Sequence, residues 1–339
     1  MTPMKAPFWT VLVVVVHSVI GNAQILHYQF NEGVGTTTTN SGSTSDSLTM
    51  RGTSGTSTTA LWGAPGSGPS TLAGDRALDL TTATGMGSGF SGPTAFLPAL
   101  SPMSHLNQFT ITGWFRPDST DLDRAKFLLI QNGSNVMSIT GLSGGPVGAR
   151  NRLRLIINDG NSFPEVDAFG DFEAVWSTTD SWAFFAISYA GQGASGTIEF
   201  YSGSPAGAAS LSTSSTVSSI LFPLAGASVC IGANPSNTDP FKGYLDDFRL
   251  YGSRLTAAEV EQVRLSALPE LRLSIAPVDA SSGRITWATN FTNHVLEFAT
   301  SLPVTGWSAV TNAVTTVGGR HSVTVDTGEA QRVYRLRQP

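Results

Sequence analysis

The side chains that could carry chemistry are scattered along this sequence. The five histidines, which could bind a metal, show no ligand spacing; they are His17, His27, His105, His294 and His321. A serine hydrolase would need a Gly-x-Ser-x-Gly turn between a strand and a helix, and none is found there. Residues 85–89 are rich in glycine, but no βαβ unit surrounds them, which argues against a nucleotide loop. These patterns favour binding over catalysis.

Sugar binding would need exposed aromatic rings that stack on the apolar face of a pyranose. Trp62 and Trp176 lie in loop-like sequence and are the predicted ligand-binding residues. Trp114 and Trp182 lie in strand patterns, which predicts that both belong to the core. For Trp62, a lid over an edge of the core is an equally good alternative.

The first 23 residues have the features of a signal peptide. Lys5 precedes an apolar run at 8–16, and Gly21 and Ala23 are small enough for cleavage before Gln24. The run is shorter than the roughly 20 residues that span a bilayer, and no later stretch matches it. The mature chain is therefore predicted to be exported without a transmembrane segment, to the cell surface, the medium or the periplasm.

Composition points to a β-rich extracellular protein. Only 13% of the 339 residues are charged, and the net charge of −5 is spread out with no basic stripe, which argues against nucleic acid as a partner. The single cysteine, Cys230, excludes an intrachain disulfide and lies in an apolar run, so we expect a buried thiol. Abundant Gly, Ser and Thr suit turns and strands.

Strand-like segments recur every 10 to 20 residues with turns between them, and no crossover helix follows them. This spacing predicts an antiparallel sandwich or jelly roll. Asn132-Gly133 between two such segments predicts a hairpin. Thr256 and Glu259 form a capping box, which predicts a helix that ends near Leu265.

Five segments of residues 24–266 resemble the laminin-G-like group of concanavalin A-like sandwiches. They are 28–33, 40–42, 109–117, 182–201 and 243–260. The resemblance implies an all-β, antiparallel jelly-roll sandwich whose first and last strands pair. Residues 269–339 are predicted to be a second, smaller β-sandwich. They resemble a small module at the ends of secreted bacterial proteins, for which a fibronectin-III-like shape is expected.

The resemblance also raises the question of catalysis, because this group includes glycoside hydrolases with a Glu-x-Asp-x-x-Glu pattern on one strand. Retaining hydrolysis needs two carboxyl groups about 5 to 5.5 Å apart. Glu165 and Asp167 begin the pattern, but Gly170 occupies the acid/base position. Asp171 comes one residue late, and we expect that shift to turn its side chain to the other face. We therefore predict no catalysis at this strand.

Relatives of this sandwich often hold one calcium ion where the first loop meets the last strand. Asp246 shares strand parity with Phe248, which is predicted to face the core, and a carboxylate there is costly unless it is paired or metal-bound. Glu32 and Asn40 could complete an oxygen shell. One structural calcium ion at Glu32, Asn40 and Asp246 is the prediction. The alternative is that Asp246 pairs with a neighbouring arginine or accepts hydrogen bonds from loop amides.

The sequence thus predicts a non-catalytic extracellular recognition or adhesion protein whose ligand is a glycan or a cell-surface polymer. Two alternatives stay open. One is a structural component of the envelope without a small ligand, and the other is a divergent polysaccharide hydrolase or lyase.

Overall fold

The structure is a computed structural model, and it describes the residues in the ranges that follow. They are 24–101, 106–119, 123–142, 152–159, 166–172, 179, 181–192, 194–218, 226–268, 273–279, 281–288, 294–300, 306–317, 320–326 and 332–337. The predicted signal peptide at 1–23, Glu165 and Trp176 lie outside them. The chain divides into two compact units between Leu268 and Pro269. In the described part, no helix has the length and apolarity needed to cross a membrane.

The first unit consists of strands followed by a helix, α1 (Ala257–Ser266). In chain order the strands are β1 Gln24–Tyr28, β2 Thr37–Thr38, β3 Leu48–Arg51, β4 Leu78–Asp79, β5 Thr94–Leu97, β6 Gln108–Pro117, β7 Lys126–Asn132, β8 Asn135–Leu142, β9 Arg152–Asp159, β10 Val166–Asp171, β11 Ala183–Gln192, β12 Ser195–Gly203, β13 Ser210–Ser218, β14 Ser228–Ile231 and β15 Gly243–Tyr251.

These strands form two antiparallel sheets. Sheet I has the order β1-β15-β6-β11-β12-β13 with β4 paired to β15, and sheet II has the order β10-β9-β8-β7-β14-β5-β3-β2. Tyr28 of β1 lies opposite Phe248 of β15, so the predicted pairing of the first and last strands of the sandwich is confirmed. The predicted hairpin joins β7 to β8, with Gly133 at a φ of 60°.

The main core lies between the inner faces of the two sheets. Side chains alternate between the two faces of a strand, so each strand gives every second residue to this core. A typical row across sheet I contains Leu250, Ile111, Ile187 and Phe200. Burying one such side chain stabilises the fold by about 1.5–3 kcal/mol.

A second apolar cluster covers part of the outer face of sheet I. Trp114 and Trp182 are buried in this cluster, where Val260 and Val263 of α1 pack over the sheet. Both tryptophans are core residues as predicted, but they lie under the helix instead of between the sheets. The predicted capping box at Thr256 is present, and α1 ends at Ser266.

A β-bulge interrupts β15 and changes the predicted orientation of Asp246. The register to β6 shifts between Asp246 and Arg249, and Asp247 takes a φ of 49°. Because of the extra residue, Phe248 packs in the core between the sheets, whereas Asp246 lies opposite Trp114 on the outer face of sheet I. The expectation that Asp246 and Phe248 share a face is therefore wrong, although Asp246 is buried.

The ladder between β10 and β9 runs without a bulge from Val166 to Asp171. Positions 170 and 171 therefore have opposite parity, as the one-residue shift predicts. Gly170 faces the core, where a Cβ would lie 2.5 Å from the Phe200 ring. The position that carries the acid/base residue in the hydrolase pattern has no room for a side chain.

The second unit contains two further antiparallel sheets. Its strands are β16 Ser274–Pro277, β17 Ser282–Ala288, β18 Val295–Ala299, β19 Ser308–Ala309, β20 Thr315–Val317, β21 Arg320–Asp326 and β22 Val333–Arg337. The sheet orders are β16-β17-β21-β20 and β19-β18-β22. Ile285, Trp287 and Leu296 are part of a small core of their own. The fibronectin-III-like shape stays a prediction.

We expect Gly170→Ala to destabilise the protein by about 1–3 kcal/mol, because the added methyl group overpacks the core against Phe200. Urea unfolding measures the change. Gly74→Ala is the matched control, since a Cβ there meets nothing within 4 Å, and it should shift stability by no more than about 0.5 kcal/mol. Equal effects of the two substitutions would contradict the orientation of position 170.

Candidate functional site

A charged cluster is buried where β1 meets β15. Arg249 Nη2 lies 2.9 and 2.8 Å from Oδ1 and Oδ2 of Asp247, and Arg249 Nε donates to Oδ1 at 3.1 Å. His27 Nε2 lies 2.6 Å from the same Oδ1. All three residues are buried, and we call them the clasp. The clasp ties the first strand of the sandwich to the last.

The exposed Ser41 lies next to the clasp, and the combined set has the composition of a hydrolytic triad. Ser41 Oγ lies 2.9 Å from His27 Nδ1. Acyl transfer also needs free donors for the developing oxyanion. The backbone N–H groups of Ser41 and of the next two residues instead donate to oxygens of β1 and of their own loop. We therefore assign this arrangement a structural role.

The two neighbouring aspartates of β15 differ in charge. Burial would raise the pKa of Asp247, but the charges of Arg249 and His27 outweigh it and hold that pKa below its ordinary value. Burial raises the pKa of Asp246 well above its ordinary value, and the nearby Asp75 and Asp247 raise it further. Asp246 Oδ1 accepts a hydrogen bond from the Asp247 backbone N–H at 2.7 Å. Asp247 is thus held as an anion, and Asp246 favours its neutral form.

The residues predicted to bind calcium are engaged in hydrogen bonds within the protein. Glu32 accepts hydrogen bonds from Thr38 and Thr39 at 2.7–3.2 Å. Asn40 Oδ1 accepts two backbone N–H groups, so it closes its own loop onto β1. Within the described ranges, no group of three or more His, Cys, Asp or Glu could hold a metal ion. The oxygens of Glu32 and Asn40 are therefore already used, and calcium stays a prediction.

Trp62, predicted to bind sugar, is half-buried and packs against the main core. Its Nε1–H donates to the Gly35 carbonyl oxygen at 2.8 Å. These are the contacts expected of a lid over an edge of the core. Sugar binding at Trp62 and at Trp176, which lies outside the described residues, stays a prediction.

The outer face of sheet II presents a surface that the sequence did not single out. In register order, one row across it contains Ile156, Ser138, Leu129, Cys230, Phe96 and Thr49. Leu129 and Cys230 are buried at its centre, and burial raises the pKa of the Cys230 thiol to about 12. Phe96 and Ile156 on either side are half-buried. Together with Arg51, Lys126, Arg152 and Arg154, this row forms what we call the sheet II face.

Cations border the row on this face. The Arg51 guanidinium lies 3.5 Å from the centre of the Phe96 ring, and Arg154 lies 5.6 Å from that of Phe169. Lys126 Nζ donates to Ser138 Oγ at 2.9 Å. The sheet II face therefore combines guanidinium, ammonium and hydroxyl donors around a buried centre, which suits the recognition of oxygen-rich ligands.

This face lies on strands, whereas the tryptophans that indicated sugar binding in the sequence lie in loop-like segments. The alternation of Arg152, Leu153, Arg154 and Leu155 was the available signal, since it marks one polar and one apolar face of β9. Sequence alone does not show that this polar face continues into the outward residues of β7, β14 and β5, because those strands are apolar on both sides.

We expect Asp246→Asn and Asp247→Asn to have opposite effects on stability. The pKa of Asp246 is higher in the folded than in the unfolded state, so the protonated carboxyl group favours folding. This contribution to stability is complete below the unfolded pKa of about 3.9 and is lost as pH rises through the folded pKa. Asp246→Asn should therefore gain stability over the wild type as pH rises. A Tm difference that stays constant between pH 4 and pH 8 would contradict this.

The lowered pKa of Asp247 has the opposite consequence. Its stabilising charge is present above the unfolded pKa and is lost as pH falls through the folded pKa. Asp247→Asn leaves Arg249 buried without its counter-charge, so we expect a loss of about 3 kcal/mol at pH 7 that shrinks in acid. Thermal and urea unfolding over the same pH series measure both variants.

Solved structures similar to this chain include binding domains. Domain 4 of AbnA, a GH43 extracellular arabinanase from Geobacillus stearothermophilus solved with arabinotriose, is 19% identical with a TM-score of 0.45, and the match covers 71% of this chain and 98% of that one. The botulinum neurotoxin serotype G binding domain is 14% identical with a TM-score of 0.46, and the match covers 90% of this chain and 65% of that one. The binding domain of Paraclostridial Mosquitocidal Protein 1 is 13% identical with a TM-score of 0.47, and the match covers 87% of this chain and 65% of that one. At this similarity they carry no argument about what this chain binds.

A search of curated proteins found no match. The family model of the concanavalin A-like lectin/glucanases superfamily matches residues 90–261, just over half of the chain. The matched region contains β5 to β15 with their intervening loops and the start of α1, and hence most of both sheets. The chain belongs to the concanavalin A-like lectin/glucanases superfamily.

Proposed function

We propose that this chain is an exported, non-catalytic recognition protein that binds a glycan on the sheet II face. One observation carries the proposal: the two sheets differ in what lies on their outer faces. Helix α1 packs over the outer face of sheet I, whereas the outer face of sheet II carries hydroxyl, amide and cationic side chains. The outer face of sheet II, which no helix of the first unit's described residues covers, is the proposed ligand surface.

The geometry of β10 argues against the hydrolase alternative. Position 170, where the hydrolase pattern has its acid/base residue, is a glycine that faces the core in an unbroken strand. The second carboxyl group that hydrolysis requires is therefore not supplied at that position. A hydrolase that uses Glu165 would release sugar from polysaccharide and would lose that activity in Glu165→Gln, and we expect no such release.

Phe96→Ala tests the sheet II face. The substitution removes the ring that contacts Arg51 and exposes the neighbouring Cys230 at the centre of the row. We therefore expect glycan affinity to fall by about tenfold, or about 1.4 kcal/mol. Binding on a glycan array followed by calorimetry with the best glycan provides the measurement. Tyr244→Ala is the matched control, because Tyr244 lies on sheet I with Arg116 4.3 Å from its ring centre, and it should bind normally.

The same array separates the remaining alternatives. Loss of binding in Trp62→Ala or Trp176→Ala, with Phe96→Ala unaffected, would move the site to the loops. A chain that binds no glycan at all would favour the structural envelope component, and this result would overturn the proposal.

Calcium is tested separately, by the melting temperature. A bound ion that prefers the folded state raises stability, so its removal by EDTA must lower the Tm. The hydrogen bonds that already engage Glu32 and Asn40 lead us to expect an unchanged Tm. A fall in Tm that excess Ca²⁺ reverses in the wild type, but not in Asn40→Ala, would instead establish the calcium site.

A further inference from the structure

We infer that the ligand of the sheet II face is an acidic polysaccharide, whose carboxylate or sulfate groups recur along the chain and bind Arg51, Lys126 and the arginines of β9. The inference rests on the proposed function, since it names the class of glycan that the same face binds. It follows from four observations: the rings beside this face lie under guanidinium groups, its central ammonium donates to a neutral hydroxyl, its cations are spaced across the sheet, and its basic positions outnumber its acidic ones.

The aromatic rings of the sheet II face have guanidinium groups over them. The Arg51 guanidinium lies 3.5 Å from the Phe96 ring centre, within the range of a cation–π contact. A neutral pyranose could stack on that side of the ring only by displacing the arginine. The ring instead holds the guanidinium in place, and a fixed guanidinium offers paired donors that match a carboxylate or a sulfate.

Lys126 adds a partly desolvated ammonium group. Its side chain is half-buried and donates to the neutral hydroxyl of Ser138. Burial lowers the pKa of Lys126, the positive charges of Arg154 and Arg124 add to that, and Asp239 opposes it. An anion bound at Nζ would counter both the burial and the repulsion, whereas a neutral sugar would counter neither.

The spacing of the cations points to a repeating ligand. Adjacent strands lie about 4.8 Å apart, so Lys126 on β7 is about 14 Å from Arg51 on β3 and about 10 Å from Arg154 on β9. A single small anion cannot reach all of these groups, but a polymer that carries an acid group on successive units can.

The charge of this face contrasts with that of the whole chain. The described outward side chains of β3, β5, β7, β8, β9 and β14 include four basic groups and no acidic one, and the edge strand β10 has aspartates at positions 167 and 171, which share the parity of the outward Phe169. Basic positions thus outnumber acidic ones on this face, in a chain of net charge −5. A local excess of cations in a chain that is not basic favours an acidic glycan over nucleic acid, for which a basic domain would be expected.

The test compares polygalacturonate and chondroitin sulfate with the neutral polymers dextran and arabinan, using the full chain. We expect the acidic polymers to bind, with affinity that weakens as NaCl rises from 50 to 500 mM because salt screens the charges. In Arg51→Gln/Lys126→Gln, affinity for the acidic polymers should fall by about tenfold or more. Arg51→Lys/Lys126→Arg keeps the charge and should retain most of the binding.

Arg116→Gln is the matched control, since Arg116 covers Tyr244 on sheet I and should leave binding unchanged. Circular dichroism and the Tm of each variant exclude unfolding as the cause. Salt-insensitive binding to the neutral polymers, with or without the acidic ones, would overturn the inference and leave the proposed function intact. Tighter binding to duplex DNA would overturn the inference, and binding to no polymer would overturn both.

Discussion

The sandwich depends on the ion pair between Asp247 and Arg249, because this pair lies where the first strand of the sandwich joins the last. Burying two charges is expensive unless each keeps partners that replace water. Asp247 has two such partners, Arg249 in a bidentate pair and His27 of β1 at 2.6 Å. The partner on β1 is the important one, since it makes the closure of sheet I a condition for keeping the charge buried.

The bulge at Asp247 allows Asp246 and Phe248 to face opposite sides of sheet I. In a regular strand Asp246 and Asp247 would face opposite sides, and one of these two carboxylates would then enter the core. The extra residue places Asp246 on the outer face with Trp114, where burial raises the pKa of its carboxyl group, while Phe248 fills the core. The left-handed backbone this requires is one that aspartate tolerates better than most residues.

The same bulge marks the limit of what period-two patterns can predict. The strands, the hairpin at Asn132 and the capping box at Thr256 follow from local signals, and each is confirmed. The orientation of Asp246 does not, because a bulge without glycine leaves no mark in the alternation of apolar residues. The sheet II face is hidden for a related reason: Leu129 and Cys230 make their strands apolar on both sides, and only the register reveals that they share a surface with Arg154.

Register also explains why β10 does not reproduce the paired acids of the hydrolase pattern. Hydrolysis by paired acids needs two carboxyl groups that converge on one bond. In the unbroken β10, the position of the second acid is Gly170, which faces the core against Phe200. The neighbouring strands place Arg51 and Lys126 on the outward face, where the Phe96 ring and the Ser138 hydroxyl contact them. Two cations fixed in this way support the proposal that the outward face of sheet II binds an anionic polymer.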